Sequence, residues 1–141
     1  MELKINRMIV LHTIVIFMTL FTSCDLESQK NGEQQEVSIY QKVSPAAFQE
    51  KMKAETAAYK IVDVRTAQEY ANGAIANSEN HDVLNGDFEA NMQDWNKEEP
   101  IYIYCAKGGR SSKAAKMLQD QGFNKIIELK GGYTSWKLGT N

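Results

Sequence analysis

The segment IYIYCAKGGRSS, residues 101–112, constrains the fold more than any other stretch of the chain. Its first four residues alternate β-branched and aromatic side chains, the pattern of a short strand, and the SSKAAKMLQDQG that follows the glycines reads as a helix. Cys105 therefore stands where a strand hands over to a helix.

The same alternation runs along the rest of the chain. Residues 36–43, EVSIYQKV, offer a strand. In the SPAAFQEKMKAE that follows, Ser44 can cap a helix, Pro45 suits its first position, and Val43 can pack on Phe48. KIVDVR is a compact apolar run that reads as a buried strand over residues 60–64. Thr66 and Glu69 then form a capping box, and Gly73 stops the short helix they start. A short strand is expected within residues 75–80. Asp87 is expected to cap a helix in which Phe88, Met92 and Trp95 form a core-facing stripe, closed by Pro100. After the Cys105 loop, Ala114, Ala115, Met117 and Leu118 supply an apolar helix face and Gly122 ends it. NKIIEL then gives a last strand and GGYTSWK a final turn and helix. Strands alternating with helices imply an α/β fold with a parallel or mostly parallel sheet covered on both faces. In such sheets ligands gather beyond the carboxyl ends of the strands, where Cys105 and the residues after KIVDV are placed.

A chain of 141 residues with 24% charged side chains fits one ordinary domain. Its formal net charge of -2 provides no basic field for phosphate backbones, so nucleic acid is not an expected partner. Lys4 and Arg7 precede an apolar run over residues 8–21, a secretory signal pattern that is short for a permanent membrane span of about 20 residues. The LFTSC that ends the run resembles a bacterial lipobox. That resemblance implies cleavage before Cys24, lipidation of Cys24, and a lipid-anchored protein of the bacterial cell envelope facing the periplasm. The plainer alternative is an ordinary signal peptide or an uncleaved anchor. The polar DLESQKNGEQQE that follows reads as a disordered tether, long enough to hold a domain on the order of 40 Å from a bilayer. The expected division is residues 1–23 as signal peptide, 24–36 as lipidated cysteine and tether, and 37–141 as the domain. With Cys24 acylated, Cys105 is the remaining thiol of two cysteines. An unpaired thiol in an oxidising compartment suggests use, while burial as an inert side chain is the competing expectation.

Gly108 and Gly109 permit unusual backbone angles that let successive amides turn inward around the sulfur. A helix beginning near Arg110 adds unpaired N–H groups and the positive end of its dipole. Lys107 and Arg110 add positive charge. Together these favour a thiolate and an activated nucleophile. The bland reading is a plain Gly-Gly turn with Arg110 and Ser111 at the solvated start of a helix.

The loop and helix CAKGGRSSKAAKMLQDQGF resemble the active-site loop of rhodanese-like domains, Cys-x-x-Gly-x-Arg-Ser, matched at Cys105, Gly108, Arg110 and Ser111. IVDVRTAQEYANGAI is similar to the same family's Asp-x-Arg-x-x-x-Glu-Tyr segment, and IELKGGYTSWK to its Leu-x-Gly-Gly-x-x-x-Trp ending. The resemblance implies a single five-stranded α/β domain, acting as a monomer without cofactor or metal, with thiosulfate sulfurtransferase chemistry. In that chemistry Cys105 is the catalytic residue and carries a persulfide. Ala106, Lys107, Gly108, Gly109, Arg110 and Ser111 bind an anionic sulfur donor through loop amides and charges, and the acceptor is a thiol or a cyanide-type nucleophile. Asp63 and Arg65 match the family's Asp and Arg, and Arg65 with Glu69 is assigned to a supporting ion-pair network. The chain departs from the family pattern at Ala74, where the family has His, and in the following NSENHD. His81 is read as a surface residue. Two rivals are a cysteine phosphatase or arsenate reductase, which resembles a loop longer by one residue, and a membrane-tethered rhodanese-like module that binds without catalysis.

Overall fold

All four residues of IYIY are buried, as an apolar run without polar alternation requires of a strand covered on both sides. The computed structural model describes residues 39–139. The signal segment, Cys24, the tether and the first residues of the expected first strand lie outside the described residues. Within them, the elements in chain order are β1 (Ile39–Val43), α1 (Pro45–Ala54), β2 (Lys60–Asp63), α2 (Ala67–Ala71), β3 (Glu79–Asn80), α3 (Asp87–Asn91), a 3-10 turn (Met92–Asp94), β4 (Ile101–Tyr104), α4 (Gly109–Asp120), β5 (Lys125–Leu129) and α5 (Gly132–Gly139). The five strands form one sheet in the order β1-β5-β4-β2-β3, and every pairing is parallel.

Side chains that alternate along the central strands divide the core into two layers. Val62, Val64, Ile101, Ile103 and Ile126 face Phe88, Met92, Ala114, Ala115 and Leu118, so α3 and α4 cover that side. Ile61, Tyr102, Tyr104, Ile127 and Leu129 face Phe48 of α1 and, from α5, Tyr133 and Trp136. Local signals place the helices. The Ser44 hydroxyl accepts the Ala47 amide at 3.3 Å with Pro45 in the first turn, and Val43 packs in the same layer as Phe48. The capping box at Thr66 and Glu69 is complete on both sides. Gly122 adopts a left-handed conformation after α4.

Four expectations are refined or corrected. The short strand expected within residues 75–80 is narrowed to its last two residues, β3, because the chain first turns through Ile75–Ser78, held by Ser78 N–H donating to the Ile75 carbonyl at 3.1 Å. Gly86, not Asp87, occupies the cap of α3, and Asp87 is already helical. Trp95 lies beyond the helix in extended backbone, and there its ring meets the edges or faces of His81, Phe88 and Phe123. His81 is half-buried against Trp95 between Glu79 at 3.3 Å and Asp87 at 3.6 Å, not a free surface side chain.

Candidate active site

Cys105 follows the last residue of β4, and its side chain enters the layer beneath α4, where the residue is 1% exposed. Burial alone would push the thiol up, yet hydrogen bonds reverse the outcome. The Ser111 hydroxyl and the amides of Ser111, Gly108 and Lys107 favour the thiolate strongly enough to hold the Cys105 thiol below its ordinary range. The Gly108 amide donates to Sγ at 3.1 Å. Gly108 makes this possible with φ of 105°, a left-handed conformation at the cap of α4 that an L side chain rarely adopts. Gly109 does not share the requirement: it is the first residue of α4, and a Cβ there would meet nothing. The helix thus starts one residue earlier than expected, and the amide of its cap residue Gly108 points at the sulfur, with the Ser111 amide of its first turn favouring the thiolate.

Ala106 is half-buried, and the Lys107 side chain is exposed to solvent. Arg110 is held by Glu69, Nη1 and Nη2 each donating to one carboxylate oxygen at 2.7 Å. This fork takes precedence over the expected Arg65 and Glu69 network, which does not form. Arg65 is 5% exposed and pairs instead with Asp63, Nη2 to Oδ2 at 2.6 Å, while a further bond from Nη2 reaches the Gly73 carbonyl at 2.7 Å. Its guanidinium lies 4.3 Å from the centre of the Tyr133 ring, a cation–π contact that turns it into the layer opposite Cys105. Asp63 and Arg65 therefore brace the turn after β2, whereas Glu69 and Arg110 tie α2 to the start of the Cys105 helix.

Several residues that build the site carried no chemical signal of their own. Gly132 has φ of 60°, and a Cβ there would lie 2.3 Å from the Cys105 carbonyl oxygen. The amides of Tyr133 and Thr134 at the start of α5 donate to the Cys105 and Ala106 carbonyls at 2.8 and 3.1 Å. Only the Gly-Gly spacing in KGGYTSWK hinted at that close approach. Beneath the loop, Glu128 of β5 is fully buried and receives Lys42 at 3.0 Å, Ser111 at 2.8 Å and Ser112 at 2.9 Å, together with the Tyr40 hydroxyl. No pattern in NKIIEL marked that carboxylate, because its partners come from β1 and α4.

Comparison with known proteins agrees with this architecture. The chain is 33% identical over 81 residues to thiosulfate sulfurtransferase GlpE of Coxiella burnetii, covering 55% of this chain and 70% of that one. With the YrkF protein of Bacillus subtilis it shares 31% identity over 110 residues, 77% of this chain but 58% of YrkF. The crystal structure of a rhodanese-related protein from Thermoplasma volcanium superposes with a TM-score of 0.61 at 30% identity, covering 71% of this chain and 93% of that one. Residues 44–138 match the model of the rhodanese-like domain, and the chain belongs to that family.

Proposed function

We propose that the protein is a sulfurtransferase that moves a sulfane sulfur through a Cys105 persulfide. One observation carries the reading: a buried thiol that is nevertheless held low, because amide hydrogens and a hydroxyl converge on it. The thiolate attacks the outer sulfur of a donor such as thiosulfate. A bond forms from Sγ to that sulfur as the donor's S–S bond breaks, and sulfite leaves with the electron pair. The charge now rests on the outer sulfur, where inward N–H groups stabilise it much as they would an oxyanion. A thiol or cyanide-type acceptor then attacks that sulfur and regenerates the thiolate. The name of the Coxiella relative favours thiosulfate as donor. Lys107 and Arg110 supply positive charge for an anion, with Arg110 partly neutralised by Glu69.

The test is to incubate the protein separately with thiosulfate, mercaptopyruvate and glutathione persulfide and measure intact mass. A gain of one sulfur atom that disappears in Cys105→Ala supports transfer. No gain from any of the three donors would abandon it in favour of a binding module. We further propose the lipid anchor at Cys24, on the residues preceding it. Cells fed an alkyne fatty acid should label the wild-type chain and not Cys24→Ala; equal labelling of both would remove the anchor.

A further inference from the structure

Glu128 is a fully buried carboxylate that the transfer chemistry does not use. It shares a face of β5 with Ile126, the face on which α4 packs, and its register neighbours are Lys42 on β1 and Ile103 on β4, two residues before Cys105. Oε1 receives Lys42, Ser111 and Ser112, and Oε2 receives the Tyr40 hydroxyl. Lys42 also donates to the Ser112 hydroxyl at 2.8 Å, and Ser112 reaches the Gly108 carbonyl at 2.8 Å. Ser111 has a single hydroxyl proton and two acceptors at hydrogen-bond distance, Glu128 at 2.8 Å and the Gly108 carbonyl at 3.2 Å, and the same hydroxyl is the leading influence that favours the Cys105 thiolate against burial.

We propose that Glu128 is a positioning residue for the Cys105 thiol: its carboxylate draws the Ser111 hydroxyl proton away from the sulfur, and its Lys42, Ser112 and Tyr40 donors set how readily that proton is released. When the sulfur is anionic, the Ser111 hydroxyl turns to it and makes a charge-assisted bond. Glu128 then keeps the Lys42 ammonium and the Tyr40 hydroxyl, with Ser112 shared between it and the Gly108 carbonyl, so releasing Ser111 leaves no unpaired buried charge. The proton never leaves Ser111; only the acceptor changes, and no bond is broken. The charged groups facing this cluster are Lys42 from β1 and, on the sulfur side, Arg110 with its partner Glu69 and with Asp82 nearby.

The inference rests on Cys105 as the reacting thiol, but its test needs no sulfur donor. In the full chain, the rate of Cys105 alkylation by iodoacetamide is followed against pH. Glu128→Gln should move the inflection down by about half a pH unit, since the weaker acceptor leaves the Ser111 proton with the sulfur. In a Ser111→Ala background the same substitution should move it by about half as much or less, because only the through-space charge remains. An unchanged inflection, an upward shift, or the same shift in both backgrounds overturns the proposal. Should Glu128→Gln not fold, Lys42→Met removes one donor from the carboxylate at a part-exposed site. Its inflection should rise, and rise less without Ser111; equal rises overturn the proposal as well. Sulfur loading of the wild type judges the transfer reading separately, so either idea can fail alone.

Discussion

Both guanidinium nitrogens at the end of Arg110 are committed to the two oxygens of Glu69, and the same carboxylate closes the capping box with the Thr66 amide and hydroxyl. These bonds, Arg110 first, outweigh the opposing effect of burial and lower the Glu69 carboxyl from 4.5 to about 2. A carboxyl lowered in the folded state contributes stability that is present above pH 4.5 and is lost as pH falls toward 2. The Glu69 side chain is 36% exposed, so solvent screening leaves only a part of this, about 1 kcal/mol. Glu69→Gln retains the capping geometry and removes the charge. Its urea midpoint should fall below that of the wild type at pH 7, and the gap should close as pH drops from 4.5 to 2. A gap that stays constant across that range would mean the ion pair contributes nothing. The candidate site at Cys105 was legible from Cys, two glycines, Arg and Ser gathered at one strand-to-helix junction, a combination that no one of them carries alone. The pairing of Arg110 with Glu69 was not readable, because 41 positions separate them.

At the scale of elements, the Cys105 loop is clamped between two helix starts. Gly108 at the cap of α4 aims its amide at the sulfur, while the first amides of α5 reach the Cys105 and Ala106 carbonyls. The strand-to-helix handover made the first legible. The second depends on Gly132, whose left-handed backbone lets α5 approach the loop more closely than any Cβ permits. Gly132→Ala must therefore displace backbone, not a flexible side chain, at a cost on the order of 3 kcal/mol. Thermal melting should show a drop of several degrees, and the alkylation inflection of Cys105 should move up toward that of an ordinary thiol as the loop shifts. A variant with wild-type melting and titration would show that α5 is not a clamp. Elsewhere, local chemistry placed the elements but misjudged their ends. Asp87 looked like a cap because acidic residues favour first turns, yet Gly86 with φ of 87° makes the turn into α3.

Over the whole molecule, the match to the rhodanese-like family begins at residue 44, but the sheet does not. β1 pairs with β5 at five register positions from Ile39 to Val43, and it carries both Tyr40 and Lys42 to the buried Glu128. A chain beginning at residue 44 loses those partners and bares β5 as a new edge. It should be less stable, because Glu128 stays buried while losing Lys42 and Tyr40, and should melt lower than a chain beginning at residue 37. Equal melting temperatures would show that β1 is dispensable.

The amino-acid sequence by itself determined the alternation of strands and helices, the caps at Ser44 and Thr66, and the thiol at a strand-to-helix turn, because each is encoded in contacts a few residues long. Tertiary structure alone decided that Arg65 lies over the Tyr133 ring while Glu69 takes Arg110, that Gly132 lies against the Cys105 carbonyl, and that Glu128 shares hydroxyls with the thiol loop. These partners come from different strands and helices, and a parallel sheet brings such residues together only after its crossovers have closed.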